Sequence, residues 1–500
     1  MMNSLEAVKT YRKKFPEAVI YPDSVTAQED SVLFMVRLGQ DPFLVISGSN
    51  FYNFDGENVD IYGQSFFKCA LTHKNAIVLR KQFPFTKPVP IGKENSYGLG
   101  DRLGNAGAAH LKAIRKTSFK PVLAQQSIRE LERTGRTAAE VLDAAGWAAF
   151  REGYRDGFGA DGDHLKTTED IDLMMKAGYT MFTIDPSNFV VNEAAELSEH
   201  ELLSRTEKLP WQILQTEQTA FLNEWHSREV SLPDGYSLNP SRKEILAGLL
   251  KYGNVIAHTK MLAEYINETY PNHPSELELS VDETDKPTTL FEHYLISSEL
   301  QRLGVELVSL APRFCGDFEK GVDYRGDLEQ FKKEYLHHLA IAKQFGGYKL
   351  SIHSGSDKFS VYRVIGSINK GAVHVKTAGT SYLEALRTVA KVNPSLFREI
   401  LEFSKTQFET DKKTYHISGR PEQIPDVDTM RPEQLQELLD HDDTRQVLHV
   451  AYGSVLHGHG ETSKRFKKDL MKTLRDFEEL YEQNLEYHFD RHLEPFKING

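Results

Sequence analysis

"SELELSVDETDKPTTLFEHYLISSELQRLGVELVSLAP", residues 275–312, decides the fold. It opens on a short apolar run ending at Asp282 and Glu283 and continues into a helical segment over 287–304. It closes on a second apolar run at 305–312. Strand, helix and strand in that order call for a parallel sheet. The same unit recurs outward along the chain. "NSYGLGD" precedes the helical "GNAGAAHLKAIRKT", and "KPVLAQQ" precedes "SIRELERTGRTAAEVLDAAGWAAFREGYRDG". In the latter, Ser127 and Thr137 are expected to cap two successive helices. "GFGADGDH" precedes "TTEDIDLMMKAG"; "YTMFTID" is trailed only distantly by a helix. "YKLSIHS" and "GAVHVKTAG" complete the series. Eight such units over about 300 residues predict a (β/α)8 TIM-type barrel and not a doubly wound sheet.

The flanks differ in texture. Residues 1–90 carry short β-type runs, "SVLFMVRL", "PFLVISG", "VDIYG", "SFFKCAL" and "NAIVLR", and are expected to form a small β-rich region. "PFTKPVPIG" (84–92) reads as a linker. The barrel is expected over 95–410, with a mostly helical insertion at about 186–276 between strands four and five. A helical C-terminal extension over 411–500 is expected to pack on it.

Composition narrows the class. The chain has 500 residues, a formal net charge of −12, 40% hydrophobic and 26% charged residues. An acidic balance argues against a nucleic-acid partner. Two cysteines, Cys69 and Cys315, cannot build a disulfide framework and suit a reducing compartment. Neither a signal peptide nor a membrane-length apolar run is seen, so a cytoplasmic protein with no membrane partner is expected. "GFGADG" matches a dinucleotide-loop spacing but follows a helix, which removes the required context. No P-loop, G-x-S-x-G, H-E-x-x-H or cysteine cluster is present.

Chemistry in such barrels sits at the C-terminal ends of the strands. Those ends carry Asp101 and Arg102, Gln125 and Gln126, Asp161, Asp163 and His164, Asp185, Asp282 and Glu283, Arg313, His353, and His374 with Lys376. Asp185, before Pro186, also reads as a helix cap, and Asp101 with Arg102 as a structural ion pair. Three strand-end imidazoles, His164, His353 and His374, or two of them with a strand-end carboxylate, fit a catalytic divalent cation with open positions for substrate. His457 and His459 lie in a glycine-rich polar loop and read as surface. His293, His337 and His338 lie on expected helices and read as ordinary.

"SYGLGDRLGNAGAAHL", "PVLAQQSIRELERTGRT", "EVLDAAGWAAFREGYRDGFGADGDHLKT", "YTMFTIDPS", "RFCGDFEKGVDYRGD" and "SIHSGSDKFSVY" together resemble the tagaturonate/fructuronate epimerase family, from about residue 95 to 455. The resemblance implies interconversion of two ketohexuronates with a divalent metal, zinc, nickel, manganese or cobalt. It places the ligands on His164, His353 and His374 and the acid/base pair on Asp163 and Glu283. Since adjacent strand residues face opposite ways, Asp163 and His164 can both serve only where the strand breaks near Gly162. A ketohexuronate also needs a cation for its carboxylate. Arg313 offers a bidentate fork, with Lys166, Lys320 and Lys376 as further candidates and Gln125 and Asp101 as polar contacts. Two rivals stay open: another metal-dependent sugar isomerase or class II-type aldolase, and a sugar-acid binding protein without catalysis. Homo-oligomeric assembly is left open.

Overall fold

The computed structural model describes residues 4–226, 228–368, 371–377 and 379–497. Eight parallel strands close into a barrel: β1 (Ser96–Leu99), β2 (Lys120–Ser127), β3 (Gly159–Leu165), β4 (Met181–Ile184), β5 (Glu276–Val281), β6 (Ser309–Pro312), β7 (Lys349–Gly355) and β8 (Val373–Thr377). Each pairs with its successor and β8 closes on β1, in the order the sequence predicts. Hydroxyl caps start the outer helices. Ser127, Thr137, Thr167 and Thr289 each accept the backbone N–H three residues on. At Thr137, Thr167 and Thr289 the acidic residue at that position answers the cap, as the capping box requires.

The interior is unusual in being charged. Barrels of this class mostly fill their core with branched aliphatics. Here Asp161, Glu278, Lys349, His374 and Lys376 are all buried. The floor is sealed by the proline-rich segment read as a linker. The amides of Ile91 (2.9 Å) and Gly92 donate to Glu276 at the start of β5, and Lys349 Nζ donates to Gly92 O at 2.7 Å. The N-terminal end of the barrel is thereby covered.

Outside the barrel, six antiparallel strands between Val19 and Ala70 form a separate sheet. One face packs on the helix Ser4–Lys14 through Tyr11, Phe34 and Phe66. The other reaches the barrel helix Ala138–Arg151 through Trp147 and Phe150. One expectation is corrected: "NAIVLR" lies within a helix, His73–Gln82, and not in a strand. Thr72 caps it, and Ala76 and Leu79, three apart, carry its buried stripe while Ile77 faces solvent. Between β4 and β5 the chain makes short helices and the long helix Arg242–Thr269. After β8 come Thr380–Val392, Pro394–Asp411, Asp442–Val450, Gly460–Asp476 and Glu478–Leu493. The last of these packs on Gly107–Ile114 and Thr380–Val392. No described helix is long and apolar enough to cross a membrane.

Phe150 is fully buried, edge-on to Phe83 at 5.3 Å and stacked with Phe85 at 6.0 Å. Phe150→Ala should lower the unfolding free energy by about 3–5 kcal/mol through the cavity it leaves, read as a lower denaturant midpoint.

Candidate active site

The segment at 157–172 folds as a strand with a bulge at its tip. Gly162 pairs with Phe182 and Leu165 with Ile184, so Asp163 and His164 stand opposite Thr183 alone. His164 takes φ +54°, in the left-handed region that non-glycine residues rarely occupy. The bulge lets two neighbours both reach the barrel mouth. Gly162 packs tightly on Met174, and a Cβ there would lie 2.7 Å from its side chain.

Below the mouth, Lys376 is the electrostatic hub. Its Nζ lies 2.7 Å from Asp161 Oδ2, 2.9 Å from Asp163 Oδ1, 2.7 Å from Glu278 Oε1 and 2.6 Å from Thr183 Oγ1. Burial disfavours the ammonium, but Asp161, Asp163 and Glu278 outweigh it and raise its pKa well above normal. Burial likewise opposes ionisation of Asp163, yet Lys376 and the two nearby imidazoles hold its pKa below the usual carboxylate range. At Asp161 burial wins over Lys376, and its pKa rises to about 6. Gln125 Nε2 donates to the other oxygen of Asp163 at 3.2 Å.

Two imidazoles sit above this hub, His164 and His353, with ring centroids 5.3 Å apart. Each is oriented by a carboxylate. His353 Nε2 lies 2.7 Å from Glu278 Oε1, leaving Nδ1 toward Asp282 at 3.4 Å. His164 Nδ1 lies 3.2 Å from Asp185 Oδ2. Burial would lower both pKa values. Asp163 and Asp185 instead raise His164 to about 10, and Asp282 and Glu278 raise His353. A pocket that draws protons onto two imidazoles is one that stabilises a cation. His164, Asp282 and His353 can each offer a ligand atom within 4.8 Å of the others, and a second group of that kind joins His164 to Asp185 and Glu283. Two imidazoles and a carboxylate, with carboxylates anchoring the far ring nitrogens, fit a divalent metal by donor chemistry.

The mouth opens into a cavity of about 530 Å³ lined by Asp282, Glu283, Arg313, Lys320 and His353 and roofed by Thr414–His416. That volume is ordinary for a small-molecule site. Arg129 leans over Tyr415 at 5.2 Å and lines the same wall. Among the described residues, no carboxylate stands within ion-pair distance of Arg129, Arg313 or Lys320. The Arg313 guanidinium donates instead to Thr284 O. The wall is cationic and unpaired, the floor anionic and paired.

The structure thus gathers His164, His353, Asp163, Glu283, Gln125, Arg313 and Lys320 at one mouth. Lys166 stands at its edge, bonded to Ser187 Oγ at 2.9 Å and 3.5 Å from Asp185. Several expectations change. His374 is not with the other two imidazoles: it lies one layer deeper, fully buried, with Nδ1 2.9 Å from Ser96 Oγ. Burial, against the pull of Glu278, drops its pKa to about 3, and Asp282 stands where a third imidazole was expected. Asp101 spends both oxygens on the amides of Leu103 (3.1 Å), Gly104 (2.8 Å) and Ala106 (2.7 Å) and holds a turn. Lys376 is an internal counter-ion, with no reach left for a substrate carboxylate. Arg102 pairs with Glu130 at 3.1 Å and not with Asp101. Asp185 Oδ1 accepts from Ser187 N at 2.9 Å without being the cap of the short turn that follows, whose cap position is Pro186, and its other oxygen orients His164. Sequence reasoning missed Glu278, Arg129 and Tyr415. Alternation could have found the first, since Glu276, Glu278, Ser280 and Asp282 are two apart along β5 and its exit.

Comparison with known proteins gives a consistent picture. A family model described as tagaturonate epimerase matches residues 21–496. A tagaturonate/fructuronate epimerase of Thermotoga maritima is 42% identical over 481 residues, covering 95% of this chain and 96% of that protein. Crystal structures of the fructuronate-tagaturonate epimerase from Cohnella laeviribosi superpose with a TM-score of 0.90 at 38% identity, native and with glycerol. In both the alignment covers 99% of each chain.

Metal analysis separates the ligands. His353→Ala and Asp282→Asn should lose most of a bound divalent ion at the mouth, whereas His374→Gln should retain it. Equal retention in all three would remove the assignment.

Proposed function

The chain belongs to the tagaturonate epimerase family, and from that premise we propose that this epimerase interconverts tagaturonate and fructuronate by inverting C4 with a divalent cation at the mouth. The observation that carries the reading is a juxtaposition. A cation-binding group, His164, His353 and Asp282, adjoins a wall of three unpaired basic side chains, Arg129, Arg313 and Lys320. A ketohexuronate offers a hydroxyketone to the first and a carboxylate to the second. A sugar-acid binding protein would need only the wall, and an aldolase for neutral sugars only the metal group.

Inversion at C4 cannot proceed by enolisation, because that carbon is not α to the ketone. Opening the C3–C4 bond in retro-aldol fashion can do it. A base takes the proton of the C4 hydroxyl, the C–O bond becomes a carbonyl, and the C3–C4 electron pair passes to the ketone fragment as an enediolate. The aldehyde fragment turns, the bond re-forms on its other face, and the proton returns to the new hydroxyl. A divalent ion, when bound, supplies Lewis acidity to the ketone and its neighbouring oxygen. Glu283 is solvent-exposed at the mouth and within reach of His164, and we assign it the proton transfer. Asp163 faces it from the barrel interior. Lys376 and Gln125 keep it ionised and still, so it orients the C4 hydroxyl by accepting a hydrogen bond while Glu283 takes the proton. Arg313, with Lys320 and Arg129 beside it, holds the carboxylate. Tyr415, half-buried beside Arg129, lines the outer wall of the site.

Assay with tagaturonate, with and without chelator, tests the reaction: fructuronate should form, and chelation should stop it. Glu283→Gln should keep fold and metal while turnover falls roughly 10²- to 10⁴-fold, the usual worth of a positioned acid or base. Arg313→Lys should weaken uronate use about 10- to 100-fold, as expected for one lost charged contact, and spare a neutral ketose. In heavy water the retro-aldol route leaves the hydrogen on C4 in place. Deuterium at C4 after one turnover would overturn the route.

A further inference from the structure

A second group of metal-ligating side chains lies outside the barrel mouth. Asp357 follows β7, and His488 and His492 stand one turn apart on the last long helix, Glu478–Leu493. Asp357 Oδ1 lies 2.9 Å from His488 Nε2 and 3.0 Å from His492 Nε2, and the two Nε2 atoms are 3.0 Å apart. All three residues are buried, His492 completely. Three donor atoms thus meet as a nearly equilateral triangle in the dry interior.

Hydrogen bonding alone accounts for this triangle poorly. Two imidazole nitrogens that both point at one oxygen would both have to donate to it, and their N–H groups would then face each other. A cation removes the conflict, because both nitrogens then present lone pairs. The dimensions agree. Donors about 2.1 Å from a metal are about 3.0 Å apart at right angles and about 3.4 Å apart at the tetrahedral angle. The edges of 2.9–3.0 Å match one face of an octahedron, the arrangement of two histidines and one carboxylate that leaves further positions open.

The surroundings match as well. A metal-bound imidazole gives its far N–H to an oriented acceptor. His492 Nδ1 lies 2.6 Å from Tyr97 Oη, and His488 Nδ1 lies 3.3 Å from Glu384 Oε1. Arg445 donates to the other oxygen of Asp357, turning Oδ1 toward the histidines. Thr380 Oγ1 is 3.2 Å from that same Oδ1 and offers a further oxygen.

We propose that Asp357, His488 and His492 bind a second, structural divalent transition-metal ion that fastens the C-terminal helix to the barrel. The clamp joins the exit of β7 to a helix more than 100 residues later in the chain. Through Arg445, which also donates to Gly321 O, it steadies the loop that carries Lys320. Neither the reaction nor the first metal enters the argument.

The test uses Co²⁺ alone on the full-length chain carrying His353→Ala, which disables the mouth site. After stripping with chelator, reloading and dialysis, elemental analysis should find one cobalt per chain. Adding Asp357→Asn or His488→Gln should reduce that to near zero. Cobalt should also raise the melting temperature of the His353→Ala protein by several degrees, and of the double variants not at all. A His353→Ala protein that holds no cobalt and shows no thermal shift overturns the clamp. So do double variants that fold and hold as much cobalt as their parent. Should a double variant fail to fold, the thermal shift of the parent decides alone.

Discussion

One buried ammonium lets this barrel hold an acidic interior. Lys376 stands among Asp161, Asp163 and Glu278, each within 2.9 Å of its nitrogen, and is almost sealed from water. Taking four charges out of water costs several kcal/mol per ion, and their attraction offsets this only when the geometry is tight and the remaining lone pairs are occupied. Both conditions hold here. Thr183 bonds Asp161 at 2.9 Å, Gln125 bonds Asp163, and Ser309 and His353 occupy Glu278. The charge is still not balanced, with three carboxylates to one lysine. The excess is resolved in two ways. Asp161 is pushed toward the neutral acid, and the remaining negative potential reaches upward to His164 and His353. The attraction of the mouth for a cation therefore begins below it, at the cluster around Lys376.

The arrangement also explains why the two imidazoles are so firmly aimed. Glu278 contacts both Lys376 and His353 through the same oxygen, Oε1. Rotating His353 would strip a buried carboxylate of one partner, and moving Lys376 would strip three. The floor is over-determined, as a site built for positioning should be. The wall is the opposite. Arg129, Arg313 and Lys320 have no acidic partner among the described residues and sit on loops and helix starts.

How much of this was legible follows from periodicity. The eight strands were plain because most are short runs followed by a helix, and the helices after β2, β3 and β5 open on a hydroxyl cap. Fold class needed nothing finer. Which polar residues meet is harder. Alternation along β8 puts His374 and Lys376 on the same inward face, but alternation carries no information about depth. Their depth comes from the register against β7 and β1, where His374 lies beside Ser351 and Ser96. That register depends on pairing across residues 278 apart in the chain. Hence His374, expected beside the other two imidazoles, lies at another depth, and the carboxylate that joins His164 and His353 is Asp282, just beyond β5. Asp101 was misread for a related reason. A carboxylate at a strand end can serve substrate or backbone, and only the turn Leu103–Ala106 shows which. The bulge at Asp163 and His164 was legible as a requirement, since both residues could act only if the strand broke its alternation. The break takes the form of a left-handed histidine, a rare conformation in which histidine, with Asn and Asp, is enriched among non-glycine residues.

The segments outside the barrel acquire their meaning from the same contrast of fixed floor and free wall. A barrel open at its mouth would leave Arg129, Lys320 and His353 hydrated, and hydrated charges attract weakly. The roof is Thr414–His416, and it is supplied by chain that follows β8. Its position depends on helices that return to the barrel: Asp442–Val450 through Arg445, and Glu478–Leu493 through its contacts with Gly107–Ile114 and Thr380–Val392. Arg445 reaches both Gly321 O beside Lys320 and the carboxylate of Asp357 after β7. The C-terminal helices are thus tied to the exits of β6 and β7, two of the strands whose ends form the site. Leu485, Phe489 and Leu493 of the last helix lie in the same hydrophobic core as the barrel strands, so these outer segments belong to the body that holds the floor and are not a detachable cover.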